Sequence, residues 1–209
     1  MPASPEPDSE PRNVPATKGE QTRATILATA IDRFGQNGFR STSVADIARS
    51  AQVSGSLVYA YFDDKDALFR AALDADAAAV IDEGAATILA APIGDLWRDE
   101  LILTLIGAVD RHRLAHRVLA GLEPHVTSAM TELPALVALR QTVSDRLRTD
   151  QQAQLIRTDI DPDAIAGGLV SIFLSLLMSI TQFGDGDAAD RWAQVGAVFD
   201  AALLPPEPG

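Results

Sequence analysis

The chain has 209 residues, no cysteine and a formal net charge of −12 at pH 7. This length allows one large domain or two small ones, and the lack of cysteine excludes disulfides, thiolate zinc sites and cysteine nucleophiles. The charge is uneven, because residues 18–70 hold seven basic and six acidic side chains, whereas residues 71–209 hold nine basic and twenty acidic ones. The acidic second region would repel a nucleic-acid backbone, so only the nearly neutral first region is suited to approach one.

Residues 1–17 contain five prolines among serine and glutamate, a composition that predicts a disordered tail. They lack the basic and apolar segments of a secretory signal, so we expect a cytoplasmic protein. No proline occurs between Ala16 and Ala91, which favours uninterrupted helices over that stretch.

Two short helices joined by a tight turn are predicted within residues 43–62. Ser43 is a good N-cap, and Asp46 three residues later completes an S-x-x-D capping box. The apolar pattern breaks at residues 51–53, after which Ser54 is a fresh N-cap for the second helix. This arrangement is the helix-turn-helix, whose second helix fits the major groove of DNA.

In this stretch the chain resembles the tetracycline-repressor (TetR) family of transcriptional regulators. The resemblance is carried by residues 22–27, Phe34, the Gly38-Phe39 break, residues 42–48, Val53-Ser54, the aromatic cluster 59–62 and residues 65–68. It implies an all-α fold with an N-terminal three-helix DNA-binding head and a C-terminal helical body for ligand binding and dimerisation. We therefore expect the DNA-binding domain at residues 18–65, the body at residues 66–204 and a short tail at residues 205–209.

The resemblance also implies which side chains touch DNA. Phosphate contacts are expected from Thr42, both tyrosines and Lys65, and we add Arg40 from its charge and position. The full set of predicted DNA-binding residues is Arg40, Thr42, Ser43, Ser54, Gly55, Ser56, Tyr59, Tyr61 and Lys65.

The second helix of the motif departs from the family pattern. Family members often carry a basic residue at positions where this chain has Ala45 and Gly55. Without Lys or Arg on the second helix, the bidentate arginine contact to guanine is not available from it. We expect base contacts from its serines and Tyr59, and a greater dependence on phosphates and DNA shape. The turn usually holds glycine where this chain has Gln52, so we expect local backbone strain there.

The region from residue 66 to residue 160 has aliphatic stripes at helical spacing. Helices are predicted at residues 66–91, 94–113, 114–121 and 129–154. Such stripes usually form core, and in the TetR family the helices also surround a pocket for an inducer. The residues that we assign to this pocket are Trp97, Leu101, Leu105, His112, His116, Leu119, Phe173 and Met178.

Two of these residues, His112 and His116, lie four apart with Asp110 nearby, a spacing that can bind zinc. No third protein ligand can be placed, so a polar pair that is exposed or lines the pocket is favoured over a metal site. We predict no metal and no cofactor.

Residues 164–184 form an uncharged stretch that is long enough to cross a membrane. The aspartates on both sides, without flanking Lys or Arg, argue against a membrane span. This stretch and the next helix, at residues 187–204, each carry small residues at strict i+4 spacing, which permits close packing. We predict half of a four-helix bundle completed by a second subunit, with an intrachain core and a membrane span as alternatives. The predicted interface residues are Gly167, Ser171, Ser175, Ser179, Ala189, Ala193, Ala197 and Ala201.

Together these patterns predict a homodimeric transcriptional repressor that binds a palindromic DNA operator and is released by a small apolar or amphipathic ligand. No nucleophile elbow or phosphate-binding loop occurs in the sequence, so no enzymatic activity is predicted. The alternatives are a helical small-molecule-binding protein with a weak or inactive DNA head, and an activator.

Overall fold

The computed structural model describes residues 17–90, 95–127, 130–184 and 188–204, with side chains described in these ranges except at residues 85–90, 95–102, 127 and 188–192. Over these ranges the chain is helical and contains no strand, which confirms the all-α fold. Of the predicted tails at residues 1–17 and 205–209, residues 1–16 and 205–209 lie outside the described residues, whereas Thr17 is the N-cap of α1. The α-helices are α1 (Lys18–Ser41), α2 (Val44–Ser50), α3 (Gly55–Tyr61), α4 (Lys65–Ala90), α5 (Asp95–Arg111), α6 (Arg113–Leu119), α7 (Pro124–Thr127), α8 (Pro134–Gln152), α9 (Pro162–Phe183) and α10 (Ala188–Leu203), with one 3-10 turn at Met130–Glu132.

The predicted helix caps are present in the structure. The hydroxyls of Ser43 and Ser54 accept hydrogen bonds from the backbone N–H groups of Asp46 and Leu57, at 3.1 and 3.2 Å. In addition to these two predicted caps, the side chain of Asp161 caps α9. The capping box at α2 is only half formed. The Asp46 carboxylate accepts from the Ser43 hydroxyl at 2.6 Å, because aspartate is one methylene shorter than the glutamate that usually reaches back to the N-cap backbone.

The largest difference between predicted and observed helix boundaries in the body lies at the start of α8. The helix predicted at residues 129–154 begins only at Pro134, after the 3-10 turn at Met130–Glu132. Proline has no N–H and a fixed φ, so it suits the first helical position and not the interior. The short α7 was not predicted at all, because four residues are too few to show a helical period.

The largest core cluster joins the N-terminal helices to the body. Phe34 of α1 and Phe69 of α4 are buried and pack edge to face, with ring centroids 4.9 Å apart. Leu114 and Val118 of α6 are fully buried in the same cluster. Helices α1, α4 and α6 therefore share one core, which fixes how the N-terminal helices sit against the body.

Helix α9 is long and apolar enough to cross a membrane by length and composition, with a mean hydropathy of 2.1 over its most apolar window. Its inner face packs against α8 and α6 through Ala166, Val170 and Leu177, all of which are buried. Only 17% of that apolar window is buried. The outer face of α9 is therefore left uncovered in the single chain.

Candidate nucleic-acid interface and ligand cavity

Helix α3 presents a small, uncharged surface. Val58 is buried and anchors the helix, while Ser54, Ser56 and Tyr59 are exposed, Tyr59 to 54%. The hydroxyls of Ser54 and Ser56 lie 3.0 Å apart, so one donates to the other. A Cβ atom at Gly55 would meet nothing within 4 Å. The first turn of α3 therefore offers hydroxyl groups and open space to an approaching groove.

The turn between α2 and α3 carries the backbone strain expected from its sequence. Gln52 has a φ of +58°, a left-handed conformation that is normally taken by glycine. The turn is closed by the backbone N–H of Val53, which donates to the Ala48 carbonyl at 3.0 Å. The angle between α2 and α3 therefore depends on one unfavourable residue held by its neighbours.

The residues predicted to contact phosphates have different surroundings in the structure. Arg40 is exposed near the end of α1. Lys65 is the first residue of α4, and its Nζ lies 4.2 Å from the centroid of the Phe39 ring, a cation–π contact. Tyr61 is partly buried, with its hydroxyl 3.5 Å from the position that a Cβ would take at Gly19.

Two of the predicted contact residues have structural partners instead. Thr42 is only 3% exposed, and its hydroxyl donates to the carbonyls of Gly38 at 2.8 Å and of Arg33 at 3.2 Å. Ser43 is occupied as the cap of α2. The hydroxyl of Thr42 thus closes the end of α1 and points into the protein, so its expected phosphate contact is not available in this conformation.

The body contains a partly open cavity of about 150 Å³ between α4, α5, α6, α8, α9 and α10. Its lining consists of Leu73, Ala77, Val80, Ile81, Leu105, Val109, Ala115, Val118, Leu119, Met130, Leu133, Leu136, Leu139, Val143, Leu169, Val170, Phe173, Leu174, Leu177, Phe199 and Leu203. Of the predicted pocket residues, Leu105, Leu119 and Phe173 line this cavity. Among the described side chains, none that lines the cavity is polar or charged.

The other predicted pocket residues lie elsewhere. Met178 packs against the main core without lining the cavity. The two histidines do not line this cavity, because each faces polar partners outside it. The side chains of Trp97 and Leu101 lie outside the described residues.

His112 is held between two carboxylates of α4. Its Nδ1 lies 2.8 Å from Asp76 Oδ1, and its Nε2 lies 3.0 Å from Glu83 Oε1. Arg111 forms an ion pair with the same Glu83. Burial by itself would lower the pKa of His112, but the hydrogen bonds to Glu83 and Asp76 outweigh it and raise that pKa. The pKa of Glu83 is lowered by its hydrogen bonds with Arg111 and His112.

Asp76 also supplies the cap that α6 lacks. His112 occupies the N-cap position of α6 but makes no side-chain capping bond. Asp76, which is 4% exposed, instead accepts the backbone N–H of Ala115 through Oδ2 at 2.8 Å. One buried carboxylate on α4 therefore holds both the histidine and the first turn of α6, where the helix dipole also favours a negative charge.

His116 lies in a separate cleft, of about 220 Å³, between α5, α6 and α9. Its Nε2 is 3.9 Å from Asp110 Oδ1, and Thr181 completes the polar side of the cleft. Val109 and Leu177 line both the cleft and the apolar cavity, so these two side chains form the wall between them. Among the described residues, no cluster of His, Asp or Glu has the arrangement of a metal site.

A buried carboxylate also joins the end of α1 to the body. Glu123, between α6 and α7, is 3% exposed and accepts from the backbone N–H of Phe39 at 3.1 Å and from Arg117 Nε at 2.6 Å. Gly38 leaves room for this pair, since a Cβ there would lie 2.4 Å from Arg117 Nη2 and 2.6 Å from Glu123 Oε1. Gly38 is also the non-helical residue inside α1, with a φ of +77°, and it forms the predicted Gly38-Phe39 break.

The small-residue stripes lie mainly on the uncovered side of α9 and α10. Ser171 and Ser175 are exposed, and their hydroxyls donate to carbonyls one turn earlier in α9, at 2.8 Å. The hydroxyl protons of these two serines are therefore already hydrogen-bonded. Gly167 and Ser179 are half-buried. On α10, the residues Ala193, Ala197 and Ala201 are exposed, whereas the side chain of Ala189 lies outside the described residues.

Comparison with known proteins assigns the N-terminal helices. Residues 26–72 match the family model described as bacterial regulatory proteins, tetR family. An HTH-type transcriptional repressor of Mycobacterium tuberculosis is 40% identical over 68 residues, which are 32% of this chain and 36% of that protein. The chain thus spans about a third of the length of the mycobacterial relatives it matches.

Longer matches extend over the body. The HTH-type transcriptional regulator UidR of Escherichia coli is 25% identical over 165 residues, 78% of this chain and 84% of that protein. Solved structures of a protein assigned to the TetR family from Mesorhizobium loti and of a TetR-family regulator from Cytophaga hutchinsonii share the fold. Each has a TM-score of 0.66. The Mesorhizobium loti protein is 23% identical and covers 91% of this chain and 100% of its own; the Cytophaga hutchinsonii regulator is 16% identical and covers 92% of this chain and 99% of its own. Residues 26–72 of the chain thus match the tetR family of bacterial regulatory proteins, and over most of its length the chain is similar to a transcriptional regulator.

Proposed function

We propose that this chain is a homodimeric transcriptional repressor that binds a palindromic operator through α3 and leaves it when an apolar ligand enters the cavity. One observation carries the proposal: α4 and α6 wall the cavity and also pack on α1, the first helix of the DNA-binding head. A ligand in the cavity and DNA on the head would therefore act on the same helices. We place the DNA-binding domain at residues 18–65 and the ligand-binding and dimerisation domain at residues 66–204.

The proposed DNA contacts lie on and around α3. Arg40, Tyr61 and Lys65 are proposed to bind phosphates, and Tyr59 is proposed to bind a phosphate or a base edge. The hydroxyls at the start of α3 are proposed to read bases. Because α3 carries no Lys or Arg, sequence preference would depend strongly on DNA shape and deformability.

The proposed release mechanism is a shift between two states of the body. A ligand that fills the cavity more favourably in one arrangement of α4 and α6 raises the population of that arrangement. The same arrangement would set a different spacing of the two heads, so ligand and operator would oppose each other by a coupling free energy. The bonds of Glu123 to Phe39 and Arg117 support direct transmission to the end of α1.

The uncovered face of α9 and α10 is proposed as the dimer interface. Its small residues would let the corresponding helices of a second chain approach closely and complete a four-helix bundle. Two-fold symmetry would then present two α3 helices to successive major grooves, about 34–36 Å apart. We propose that the dimer acts in the cytoplasm, where the DNA is.

The proposal is tested by a mobility-shift titration of the full chain on the DNA upstream of its own coding sequence, across a salt series. A saturable complex that outcompetes random DNA, and that an apolar compound dissociates, would support it. If that fragment binds no more tightly than random DNA, selection from a random-sequence pool decides whether any operator exists. Failure to enrich a sequence would refute specific DNA binding.

The second candidate function is a helical small-molecule-binding protein whose head no longer binds DNA. It is favoured by the absence of any basic side chain on α3 beside a well-formed apolar cavity. The two candidates differ in the random-sequence selection, since only a functional head enriches a sequence. An activator would enrich a sequence as a repressor does, but would raise transcription from a reporter.

A further inference from the structure

The apolar cavity offers almost nothing to a hydrogen-bonding ligand. Its described lining consists of aliphatic side chains, two phenylalanines and one methionine, Met130. The only heteroatom among these side chains is the methionine sulfur, which is a weak acceptor. The backbone around the cavity is mostly helical, so its N–H and C=O groups are largely engaged within their own helices.

A hydroxyl or a charged group inside such a cavity would lose its bonds to water and gain none. Burial of a polar group without a partner is unfavourable, whereas burial of hydrocarbon is favourable. An engineered cavity of about 150 Å³ in another protein, lined by Leu, Ile and Phe, stays dry and binds benzene or xenon. The cavity described above has a similar size and the same kind of lining.

The polar groups of the neighbouring cleft lie behind a wall. Asp110, His116 and Thr181 belong to the neighbouring cleft, and Val109 and Leu177 separate that cleft from the cavity. Both of these wall residues are buried. A ligand that placed a polar group in the cleft and its apolar part in the cavity would have to displace both of them.

We propose that the cavity binds a compact aliphatic or monoaromatic hydrocarbon that has no hydrogen-bonding group. This inference rests on the proposed function in taking the cavity as the effector site, and it narrows the effector from apolar or amphipathic molecules to hydrocarbons. Recognition then depends on size and shape, since the described lining supplies no directional bond.

Ethylbenzene and benzyl alcohol test the proposal, because they differ mainly by a methyl group in place of a hydroxyl. Isothermal titration calorimetry of each into the full chain, without DNA, measures both affinities. Ethylbenzene is expected to bind about tenfold to a hundredfold more tightly than benzyl alcohol. Equal or tighter binding of benzyl alcohol, or no binding of ethylbenzene, would overturn the proposal.

A substitution that fills part of the cavity tests whether ethylbenzene binds there. Ala77 lines the cavity from α4, so Ala77→Leu should occupy part of the space and weaken ethylbenzene binding at least about tenfold. Ala138 is exposed on α8 and does not line the cavity, so Ala138→Leu is the matched control and should bind as the wild type does. Thermal unfolding of both variants checks that they fold. The comparison of ethylbenzene with benzyl alcohol uses the wild type and does not depend on either variant. Undiminished binding by folded Ala77→Leu would place the site elsewhere.

Failure of this inference is distinguishable from failure of the proposed function. Calorimetry without DNA does not depend on an active head, and operator selection does not depend on the cavity. Ethylbenzene binding together with failed operator selection would leave the hydrocarbon site standing and refute the repressor. A selected operator without ethylbenzene binding would leave the repressor standing and refute the hydrocarbon site.

Discussion

The carboxylate of Glu123 accepts the backbone N–H of Phe39 at 3.1 Å, across 84 residues of sequence. Phe39 follows the non-helical Gly38 inside α1, so its N–H is not used by a regular helix at that point. Arg117 Nε binds the same carboxylate oxygen at 2.6 Å and balances its charge. The end of α1 is thus completed by an acidic side chain of the body.

Removing Glu123 should destabilise the protein considerably. Glu123→Ala would leave the Phe39 N–H and the Arg117 guanidinium without their buried partner, and loss of one member of a buried pair costs about 3–5 kcal/mol. We expect the lower end of this range, since Arg117 is partly exposed. Urea unfolding measures the change. Glu132→Ala, at an exposed glutamate, is the control and should lie within about 0.5 kcal/mol of the wild type; equal effects of the two substitutions would contradict the assignment.

Gly38→Ala should be more destabilising than Gly184→Ala. Both glycines have nearly the same backbone conformation, with φ of +77° and +81° and ψ of 170° and 177°. Each alanine should therefore cost about 1–3 kcal/mol in backbone strain. Only Gly38 faces neighbours, so Gly38→Ala should cost about 1–3 kcal/mol more through displacement of the Arg117–Glu123 pair. The difference between the two unfolding free energies measures this packing cost, and a difference near zero would mean that the pair moves aside freely.

Gln52→Gly should stabilise the helix-turn-helix. A left-handed conformation costs a non-glycine residue about 1–2 kcal/mol, and the extra flexibility of glycine in the unfolded chain offsets about 0.5–1 kcal/mol of the gain. The expected net effect is a gain of up to about 1 kcal/mol, measured by thermal unfolding. Gln154, with a φ of +60°, allows the matched substitution far from the head. A loss of stability in Gln52→Gly alone would show that the glutamine side chain contributes more than its backbone costs.

The stability that His112 provides should decline as the pH rises. The pKa of His112 is raised in the folded protein, so its stabilising effect is complete below the unfolded value of about 6.5 and is lost as the pH passes through the folded pKa. The advantage of the wild type over His112→Gln in melting temperature should therefore shrink as the pH rises above about 6.5. The pKa of Glu83 is lowered in the folded protein, so the stability that Glu83 provides is lost only when the pH falls.

Glu83→Gln offers the control for the His112 prediction. It removes one of the two carboxylates that hold the imidazolium, while Asp76 stays in place. The pH dependence attributed to His112 should then become smaller without disappearing. An unchanged difference between wild type and His112→Gln at every pH would indicate that the histidine contributes only packing.

Lys65 should contribute to DNA binding chiefly through its charge. Lys65→Met keeps the aliphatic stem near Phe39 but removes the ammonium group, so operator binding should weaken at all sequences alike. The slope of log affinity against log salt should fall by about one unit. Arg140→Met on α8 removes a charge from the body and should leave the slope unchanged. Equal slopes for wild type and Lys65→Met would remove Lys65 from the proposed contacts.

Local features of the fold were predictable because their partners are close in sequence. Ser43 and Ser54 cap helices through residues three positions later, and such spacing is visible in the sequence itself. The strain at Gln52 followed from a turn that usually holds glycine. Helical spacing of Leu105 and Leu119 indicated an apolar face, and both line the cavity.

The polar clusters were not predictable in this way. The partners of His112 are 36 and 29 residues away on α4, and the contact exists only because α4 packs beside the junction of α5 and α6. Spacing alone grouped His112 with His116, whereas His112 is the N-cap of α6 and faces α4, and His116, one turn into α6, faces Asp110. Thr42 is a similar case, since its hydroxyl is used by α1 and not presented to solvent.

The cap that Asp76 provides to α6 has a consequence for the order of folding. A seven-residue helix is too short to be stable alone in water. The carboxylate that holds its first turn comes from 39 residues earlier in the chain. We therefore expect the first turn of α6, and with it this wall of the cavity, to be held firmly only where α4 is already in place.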